Sequence, residues 1–261
     1  MITVGFIGTG NMGSALARAA AKADNTKVYL YDKDEGKSAA LAAELGCEAA
    51  TFEGACGADV VFLAVKPNVI KDVANAAKAN MKSGGVLVSM AAGISLSMLS
   101  LVLGNTPVIR IMPNTPAACG CGMMLYAKNG GVTETMLSSF KHVMAHSGEI
   151  DELPENLIDA ASALSGCGPA FVYMFIEALA DGAVACGLPR DKALSYAIET
   201  VKGSAEMVKA SGEHPEALKD KVCSPGGSTI AGVHALETGA FRATAEDAVI
   251  AAYKKTLSLG K

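Results

Sequence analysis

The sequence contains no tryptophan and few aromatic or charged residues. Only 5% of its 261 residues are aromatic and 18% are charged, with 22 Lys and Arg against 26 Asp and Glu and a formal net charge of −4. No basic run occurs, which argues against a nucleic-acid surface. Because 51% of the residues are hydrophobic, the chain can bury a sizeable core. Because it has so few aromatic rings to fill the space between helices, we expect its helices to pack closely against one another.

The cysteine pattern shows no disulfide framework, and we expect no leader segment. Its seven cysteines are an odd number at irregular spacing, which favours reduced thiols and a cytoplasmic location. Because Ile2 already belongs to the first predicted strand, we expect no signal peptide. The longest apolar stretch, residues 170–188, contains Glu177 and Asp181 one helical turn apart. A membrane span would normally exclude two such acids, so we expect a buried or subunit-interface helix.

Two patterns divide the chain. Before residue 153, predicted strands (2–7, 28–32, 47–50, 59–65, 85–91, 107–112, 123–127 and 148–152) alternate with predicted helices (12–23, 34–45, 68–80, 95–103 and 133–145). This alternation predicts a parallel sheet with right-handed crossovers. After Pro154 only helices are predicted, at 155–165, 169–186, 190–210, 214–222, 228–238 and 243–258. We therefore expect an α/β domain over residues 1–153 and an all-α domain over residues 154–261.

A glycine-rich turn lies between the first predicted strand and helix. Gly8 permits the tight turn, Gly10 lets the backbone approach a pyrophosphate, and Gly13 lets the helix pack on the strand. The second predicted strand ends at Asp32, where a ribose-binding carboxylate is expected. The N-terminal domain is thus predicted to be a Rossmann-type dinucleotide-binding domain. Its predicted cofactor-binding residues here are Gly8, Thr9, Gly10, Asn11, Met12, Gly13, Asp32 and Lys33.

Further motifs follow predicted strands. Ligands bind at the carboxyl ends of parallel strands, and residues 91–93 carry no side chain large enough to block a flat ring. Residues 112–116 (Met-Pro-Asn-Thr-Pro) end another strand, and residues 165–169 (Ser-Gly-Cys-Gly-Pro) join two helices. Each could be a simple turn, but their joint placement favours a site. We add to the predicted cofactor-binding residues Ala64, Val65, Lys66, Pro67, Ala91, Ala92 and Gly93.

The segment Cys223–Ile230 combines a turn with a helix start. Pro225, Gly226 and Gly227 cannot continue a helix, whereas Ser228 and Thr229 open an apolar run of helical period. The free N–H groups of a helix start and several hydroxyls would then face one small volume, which suits a carboxylate. The alternative is an ordinary capped helix after a surface turn.

These motifs together resemble those of the pyrroline-5-carboxylate reductases over essentially the whole chain. The resemblance lies in residues 5–13, 64–67, 91–93, 112–116, 165–170, 178–182 and 187–190, and most specifically in 212–230, 236–237 and 239–242. It implies NAD(P)H-dependent reduction of L-1-pyrroline-5-carboxylate, a cyclic imino acid, to L-proline, the last step of proline biosynthesis. It also implies a homodimer through the helical domain, with each active site shared between two subunits.

The resemblance also assigns the substrate site. Ser224, Gly226, Gly227, Ser228 and Thr229 would hold the substrate carboxylate through N–H groups and hydroxyls. Thr229 matches the threonine that hydrogen-bonds the ring nitrogen, and it is the predicted catalytic residue. A positioned hydroxyl suffices because a protonated iminium is already electrophilic, so the rate comes from proximity and orientation.

The chain departs from these relatives at Asp32. Many relatives have small polar residues there and accept the 2′-phosphate of NADP, whereas a carboxylate binds the free 2′-hydroxyl of NAD and repels a phosphate. Lys33 could instead pair with the phosphate, and Asp32 could be a solvated strand-end residue. We expect NADH or NADPH as cofactor, with a lean to NADH.

No metal is expected. Cys119 and Cys121 supply half of a typical four-ligand site. His142 and His146 are spaced like zinc ligands, but Val143 stands where a metalloprotease needs glutamate. Cys167 replaces a serine usual in relatives, and the roles of these three cysteines are left open.

Two other functions stay open. The first is another imine reductase, or a hydroxy-acid or keto-acid reductase, of the same architecture; the latter kind would usually carry a lysine near the substrate, and Lys192, Lys202 and Lys209 lack matching context. The second is a non-catalytic dinucleotide sensor, which would not need the turn at 224–229. Oligomer size beyond the dimer, acceptance of other cyclic imines and feedback by proline are not specified by the sequence.

Overall fold

The structure is a computed structural model that describes residues 1–259, without the side chain of Leu259. Within these residues, eight strands form one sheet: β1 (Ile2–Ile7), β2 (Thr26–Tyr31), β3 (Glu48–Ala49), β4 (Val60–Leu63), β5 (Val86–Ser89), β6 (Val108–Met112), β7 (Gly122–Lys128) and β8 (Gly148–Glu152). Their order is β3-β2-β1-β4-β5-β6-β7-β8. The edge strands are therefore β3, which is two residues long, and β8, whose sequence is Gly-Glu-Ile-Asp-Glu.

In the same part of the chain, helices lie between most of these strands, and a further helix follows β8. They are α1 (Asn11–Ala20), α2 (Glu35–Leu45), α3 (Phe52–Cys56), α4 (Ile70–Asn80), α5 (Leu96–Leu103), α6 (Glu134–Val143) and α7 (Glu155–Ser165), with 3₁₀ turns at Pro67–Val69 and Thr115–Cys119. Helix α3 was missed by the sequence analysis because five residues are too short to show a helical period. It begins where the Thr51 hydroxyl accepts a hydrogen bond from the Gly54 N–H group at 3.1 Å.

The prediction of a parallel sheet is confirmed for β1 to β6 and wrong for the last two strands. Strand β7 pairs antiparallel with β6, and β8 runs parallel to β7. A parallel crossover needs a dozen or more residues, usually a helix. The β6–β7 connection, residues 113–121, contains only the 3₁₀ turn, so the chain reverses there; α6 then provides the β7–β8 crossover.

Both faces of the sheet are covered by buried apolar side chains. Phe6 and Phe62 stack on one face with ring centroids 4.6 Å apart, and Leu63 and Leu87 lie on the other. Strand β4 is buried at every residue, as expected for a central parallel strand. The predicted site lies at the carboxyl ends of the parallel strands, and these strand ends are thus supported by a well-packed core.

The remaining helices are α8 (Gly168–Ala185), α9 (Arg190–Ser211), α10 (Pro215–Val222), α11 (Ser228–Thr238) and α12 (Phe241–Leu259). The chain divides into two compact units, one of residues 1–167 with the chain from Ala252 onward, and one of residues 168–251. This division lies after the predicted limit at 153 because α7 belongs to the first unit, where Ile158 is buried with Met112 and Leu125.

One helical stretch, Glu155–Ala185, is long and apolar enough to cross a membrane, with a mean hydropathy of 1.4. This rests on length and composition alone, and core or interface helices meet the same criterion. The stretch covers α7 and α8.

Candidate active site

The turn between β1 and α1 combines two crowded glycines with an open one. Gly8 has φ +103°, and a Cβ there would lie 2.5 Å from the Ala64 carbonyl oxygen; a Cβ on Gly13 would collide with the carbonyl of Gly8. A Cβ on Gly10, by contrast, would meet nothing within 4 Å. Gly8 and Gly13 are thus required by the protein's own packing. The space at Gly10 is where a ligand's pyrophosphate could approach the backbone.

The start of α1 completes this cradle. Gly10 precedes the helix and supplies no side-chain hydrogen bond to it. The N–H groups of the first turn, in Asn11, Met12 and Gly13, are therefore available to an anion at the positive end of the helix. The turn fits a dinucleotide.

Asp32 follows β2 and is bound to this turn. Its Oδ2 accepts hydrogen bonds from the Thr9 N–H group at 2.6 Å and the Thr9 hydroxyl at 3.0 Å, and its Oδ1 accepts one from the Asp34 N–H group at 3.0 Å. Burial alone would raise the pKa of Asp32, but these hydrogen bonds together with Lys37 hold it below its ordinary value. The ionised carboxylate keeps acceptor capacity on Oδ1 for a ribose hydroxyl.

A pocket of about 550 Å³ adjoins Asp32. It is lined by Tyr31, Asp32, Glu35, Ser38, Ala39 and residues 49–53. Three of the lining residues are acidic, Asp32, Glu35 and Glu53. Lys33 is exposed and lies outside this lining, so the pocket favours a neutral group over a phosphate.

The predicted residues after β4 lie beside the glycine turn. The Ala64 N–H group donates to the Ile7 carbonyl at 2.9 Å, and the Ala64 backbone closes over Gly8. Val65 follows and is half-buried, whereas Lys66 and Pro67 are exposed.

The segment after β5 forms a tight turn. The Ile94 N–H group donates to the Ala91 carbonyl at 3.3 Å, and Gly93 has φ +74°. Ala91 is buried, and Ala92 and Gly93 are half-buried. The turn presents small side chains only, as a flat nicotinamide ring requires.

The second unit contains the other predicted group of residues at the start of α11. The Gly227 N–H group donates to the Ser224 carbonyl at 3.0 Å, and Gly226 has φ +68°. Among residues 1–259 the hydroxyls of Ser224, Ser228 and Thr229 have no hydrogen-bond partner. With the N–H groups of the first turn, they can bind a carboxylate.

A groove of about 460 Å³ runs along another face of α11. Its lining residues are Gly226, Gly227, Ile230, Ala231, Val233, His234 and Glu237. Gly226 and Gly227 thus border both the groove and the turn, while Ser224, Ser228 and Thr229 do not line the groove.

Charged residues that the sequence analysis did not assign to the site hold this turn from both sides. Arg242 donates from Nε to Glu237 Oε1 at 2.6 Å, and its Nη2 lies 2.8 Å from Glu216 Oε1. Lys219 donates to Glu216 Oε2 at 2.8 Å, and these two cations lower the pKa of Glu216. Since Glu216 lies on α10 and Glu237 on α11, Arg242 fixes the two helices that the turn connects.

Asn114 links two motifs that the sequence analysis named separately. Its Nδ2 donates to the Ser165 carbonyl at 2.9 Å, and its Oδ1 accepts from the Met123 N–H group at 3.0 Å. The segment 112–116 is therefore tied to the end of α7, which leads into residues 165–169.

The candidate metal ligands are not brought together. Among the described residues, no group of three or more His, Cys, Asp or Glu side chains could hold a metal ion. Cys119 and Cys121 are exposed. His142 Nε2 lies 2.8 Å from the carbonyl oxygen of Asp24, a contact that anchors α6.

The glycine turn and open helix start of the first unit, followed by an all-helical second unit, are typical of a two-domain nicotinamide-dependent oxidoreductase. Residues 3–93 match the family model described as NADP oxidoreductase coenzyme F420-dependent, and residues 155–259 match the model for pyrroline-5-carboxylate reductase dimerisation. The chain belongs to the pyrroline-5-carboxylate reductase family, which confirms the resemblance inferred from the motifs and the predicted fold class.

Individual relatives match over nearly their full length. The pyrroline-5-carboxylate reductase of Pisum sativum is 41% identical over 98% of this chain and 96% of its own, and that of Escherichia coli strain K12 is 40% identical over 99% and 98%. A crystal structure of Plasmodium falciparum pyrroline carboxylate reductase with NADP bound superposes with a TM-score of 0.88, at 35% identity, and covers 100% of this chain and 98% of the other.

Proposed function

We propose that this protein reduces L-1-pyrroline-5-carboxylate to L-proline by hydride transfer from NADH or NADPH, the last step of proline biosynthesis. The observation that carries this proposal is the turn before α11. There, three hydroxyls and the N–H groups of a helix start have no hydrogen-bond partner within residues 1–259, and a carboxylate-bearing substrate matches them.

The side chains at this turn have simple tasks in the reaction. Ser224 and Ser228, with the N–H groups of the first turn, hold the substrate carboxylate. Thr229 orients the ring nitrogen and relays its proton. When bound, NAD(P)H would supply the hydride for the imine carbon; with the proton held on the nitrogen, the product would be a cyclic amine. Because the protonated iminium is already electrophilic, the correct distance and orientation of the two reactants provide most of the rate acceleration.

The proposed assembly is a homodimer. Residues 154–261 would form the dimerisation and substrate domain, residues 1–153 the cofactor domain, and each active site would combine one subunit's cofactor domain with its partner's helices. Large exposed apolar side chains in the helical unit support this arrangement, among them Met174 (71% exposed), Met207 (58%) and Phe241 (43%). We infer that the protein is a soluble enzyme located in the cytoplasm.

For the cofactor we propose a preference for NADH. Asp32 is ionised, and its pocket contains two further acids and no lysine or arginine, so a 2′-phosphate would be repelled. The Plasmodium relative was solved with NADP, which makes the preference worth measuring directly. Lys33, if it reached the phosphate, would reverse the preference.

The test is turnover of pyrroline-5-carboxylate by purified protein with NADH and with NADPH, followed by reduced-nicotinamide absorbance and by proline formation in the same reaction. Thr229→Val removes the hydroxyl and keeps the shape of the side chain. We expect kcat/KM to fall by roughly tenfold to hundredfold.

Thr238→Val is the matched control, since Thr238 lies at the other end of α11 and its hydroxyl donates to the His234 carbonyl at 2.8 Å. It should retain wild-type turnover. Cofactor binding without proline formation would overturn the proposed function and favour the sensor, and turnover of a keto acid instead would favour the other class of reductase.

A further inference from the structure

Arg110 is a buried cation of the first unit. It lies on β6, and its side chain is 3% exposed. Its Nη1 donates to Glu155 Oε1 at 3.1 Å and its Nη2 to Asp159 Oδ1 at 2.6 Å. Both carboxylates belong to the first turns of α7. Because a buried guanidinium must be paired, it fixes both acids in place.

The pairing continues from Glu155 to the start of another helix. Glu155 Oε1 also accepts a hydrogen bond from the Leu96 N–H group at 2.6 Å, and Leu96 is the first residue of α5. The preceding Ser95 hydroxyl accepts from the Met98 N–H group at 3.1 Å. The beginning of α5 is therefore held by two oxygen atoms, one of which is placed by Arg110.

The start of α5 follows directly on the turn at residues 91–94. That turn is closed by one hydrogen bond of 3.3 Å between the Ile94 N–H group and the Ala91 carbonyl, and it passes through Gly93 at positive φ. Such a turn has little rigidity of its own. Its position depends on β5 before it and on the fixed start of α5 after it.

We propose that Arg110 is a positioning residue for hydride transfer, acting through Glu155 and the Leu96 N–H group on the turn at Ala91–Gly93. This inference rests on the proposed function and on the prediction that this turn, with its small side chains, lies against the nicotinamide ring. A displacement of about 1 Å at a reacting centre can cost roughly hundredfold in rate. Arg110 would then affect the chemical step more than the binding of either reactant.

The test compares Arg110→Met and Arg110→Lys with the control Lys82→Met. Lys82 pairs with Asp59 at 2.6 Å just before the amino end of β4, whereas the turn at 91–94 follows the carboxyl end of β5. Replacing a buried ion-pair member can destabilise the fold, so the melting temperature of each variant is measured first. Hydrogen exchange of the amides at 91–98 reports the turn, and steady-state kinetics with protiated and deuterated NADH report the chemical step.

We expect Arg110→Met to speed exchange at 91–98 by about tenfold or more and to lower kcat by roughly tenfold to hundredfold. The dissociation constant for NADH and the KM for the substrate should stay within about threefold, and the isotope effect on kcat should rise because hydride transfer becomes rate-limiting. Arg110→Lys should be intermediate, since lysine lacks the two-pronged donor. Lys82→Met should change none of these.

Unchanged exchange at 91–98 in Arg110→Met overturns the inference, and so does faster exchange with wild-type kcat and isotope effect. If Arg110→Met does not fold, Arg110→Lys decides by the same two readouts, and wild-type values for both overturn it. A wild-type protein that produces no proline overturns the proposed function instead, while the exchange experiment still decides whether Arg110 fixes the turn.

Discussion

The two compact units of this chain bury their side chains very differently. In the first, large residues such as Phe6, Phe62 and Tyr126 are completely buried. In residues 168–251, the buried residues are three alanines, Ala180, Ala193 and Ala197. The first unit has a core of its own, whereas the helices of the second present their apolar faces outward. The contrast indicates that the exposed apolar faces of the helical unit are buried by packing against another protein surface.

The composition of the helices explains the contrast. Small residues let α8 and α9 approach closely, and a chain without tryptophan has few large side chains to fill the space between helices. A groove of about 430 Å³ is left open between α8 and the later helices, lined by Phe171, Met174, Phe175, Leu179, Leu236, Phe241 and neighbouring residues. Folding of this unit should therefore be coupled to association.

The largest effect is expected from a charged residue on the exposed apolar face of the helical unit, since the first unit does not depend on such a face. Met174→Glu places a carboxylate in the proposed interface, at a cost of more than about 3 kcal/mol if it is buried there without a partner. That corresponds to more than roughly hundredfold weaker dimerisation, and proline formation should be lost with it. Light scattering after size-exclusion chromatography measures the mass.

Leu101→Glu is the matched control for this charge, since Leu101 is 85% exposed on α5 of the first unit. It should leave mass and activity unchanged. A fully active Met174→Glu protein with wild-type mass would contradict the assignment of this face to the interface.

Two glycine substitutions test the first unit's own packing. Gly13→Ser should lower the free energy of unfolding by about 1–3 kcal/mol, because its Cβ collides with the Gly8 carbonyl. Gly10→Ser should retain stability, since a Cβ there meets nothing and serine is a good residue before a helix. Both should weaken NADH binding. Denaturant unfolding and NADH fluorescence titration separate the two effects, and equal stability losses would refute this division of roles.

The pH dependence of the preference between NADH and NADPH tests the role of Asp32 in the first unit. The pKa of Asp32 lies below its ordinary value, so the stability gained from its hydrogen bonds is present above that value and lost as pH falls through the lower pKa. Asp32 thus stays ionised from about pH 8 to about pH 5.5, whereas a phosphate monoester with pKa near 6 loses charge. The ratio of kcat/KM for NADPH to that for NADH should rise severalfold on acidification.

Asp32→Asn should flatten this profile, because the repulsion that changes with pH is removed. A ratio that falls on acidification would instead show that a cation, with Lys33 the nearest candidate, binds the phosphate. Taking the ratio cancels the pH effects that the substrate and the imine contribute to both reactions.

The smallest effect is expected at Cys167, which ends the first unit. Its N–H group donates to the Ser162 carbonyl at 3.3 Å, and its thiol has no hydrogen-bond partner among residues 1–259. Cys167→Ser should therefore change the free energy of unfolding by no more than about 0.5 kcal/mol, with a melting temperature and kcat/KM close to those of the wild type. A large change would show that the side chain contacts substrate or the partner subunit.

The sequence predicted most elements because their signals are local. The glycine turn, the strand ending at Asp32 and the helix starting at Ser228 each depend on residues close together in the chain. The reversal at β7 was missed because it depends on the length of the connection and on which edge of the sheet is free. The domain limits and the assigned cofactor and substrate residues stay predictions.

Long-range polar contacts were beyond the sequence for a different reason. Arg110 lies in a predicted strand, and nothing near it in the sequence indicates that Glu155 would pair with it. Asn114 and Ser165 were both singled out, yet their hydrogen bond follows only from the way α7 packs on the sheet. A buried arginine in a strand is, however, a signal in itself, since burial requires a partner elsewhere.

The edge strands of the sheet affect how this protein behaves when its subunits come apart. At one edge β3 offers two residues, and at the other β8 carries three acidic side chains in five residues. Short and charged edges resist pairing with strands of other molecules. Subunits released by dilution or mutation should therefore remain dispersed instead of polymerising through their sheets, and the proposed assembly through the helical faces would stay available to them.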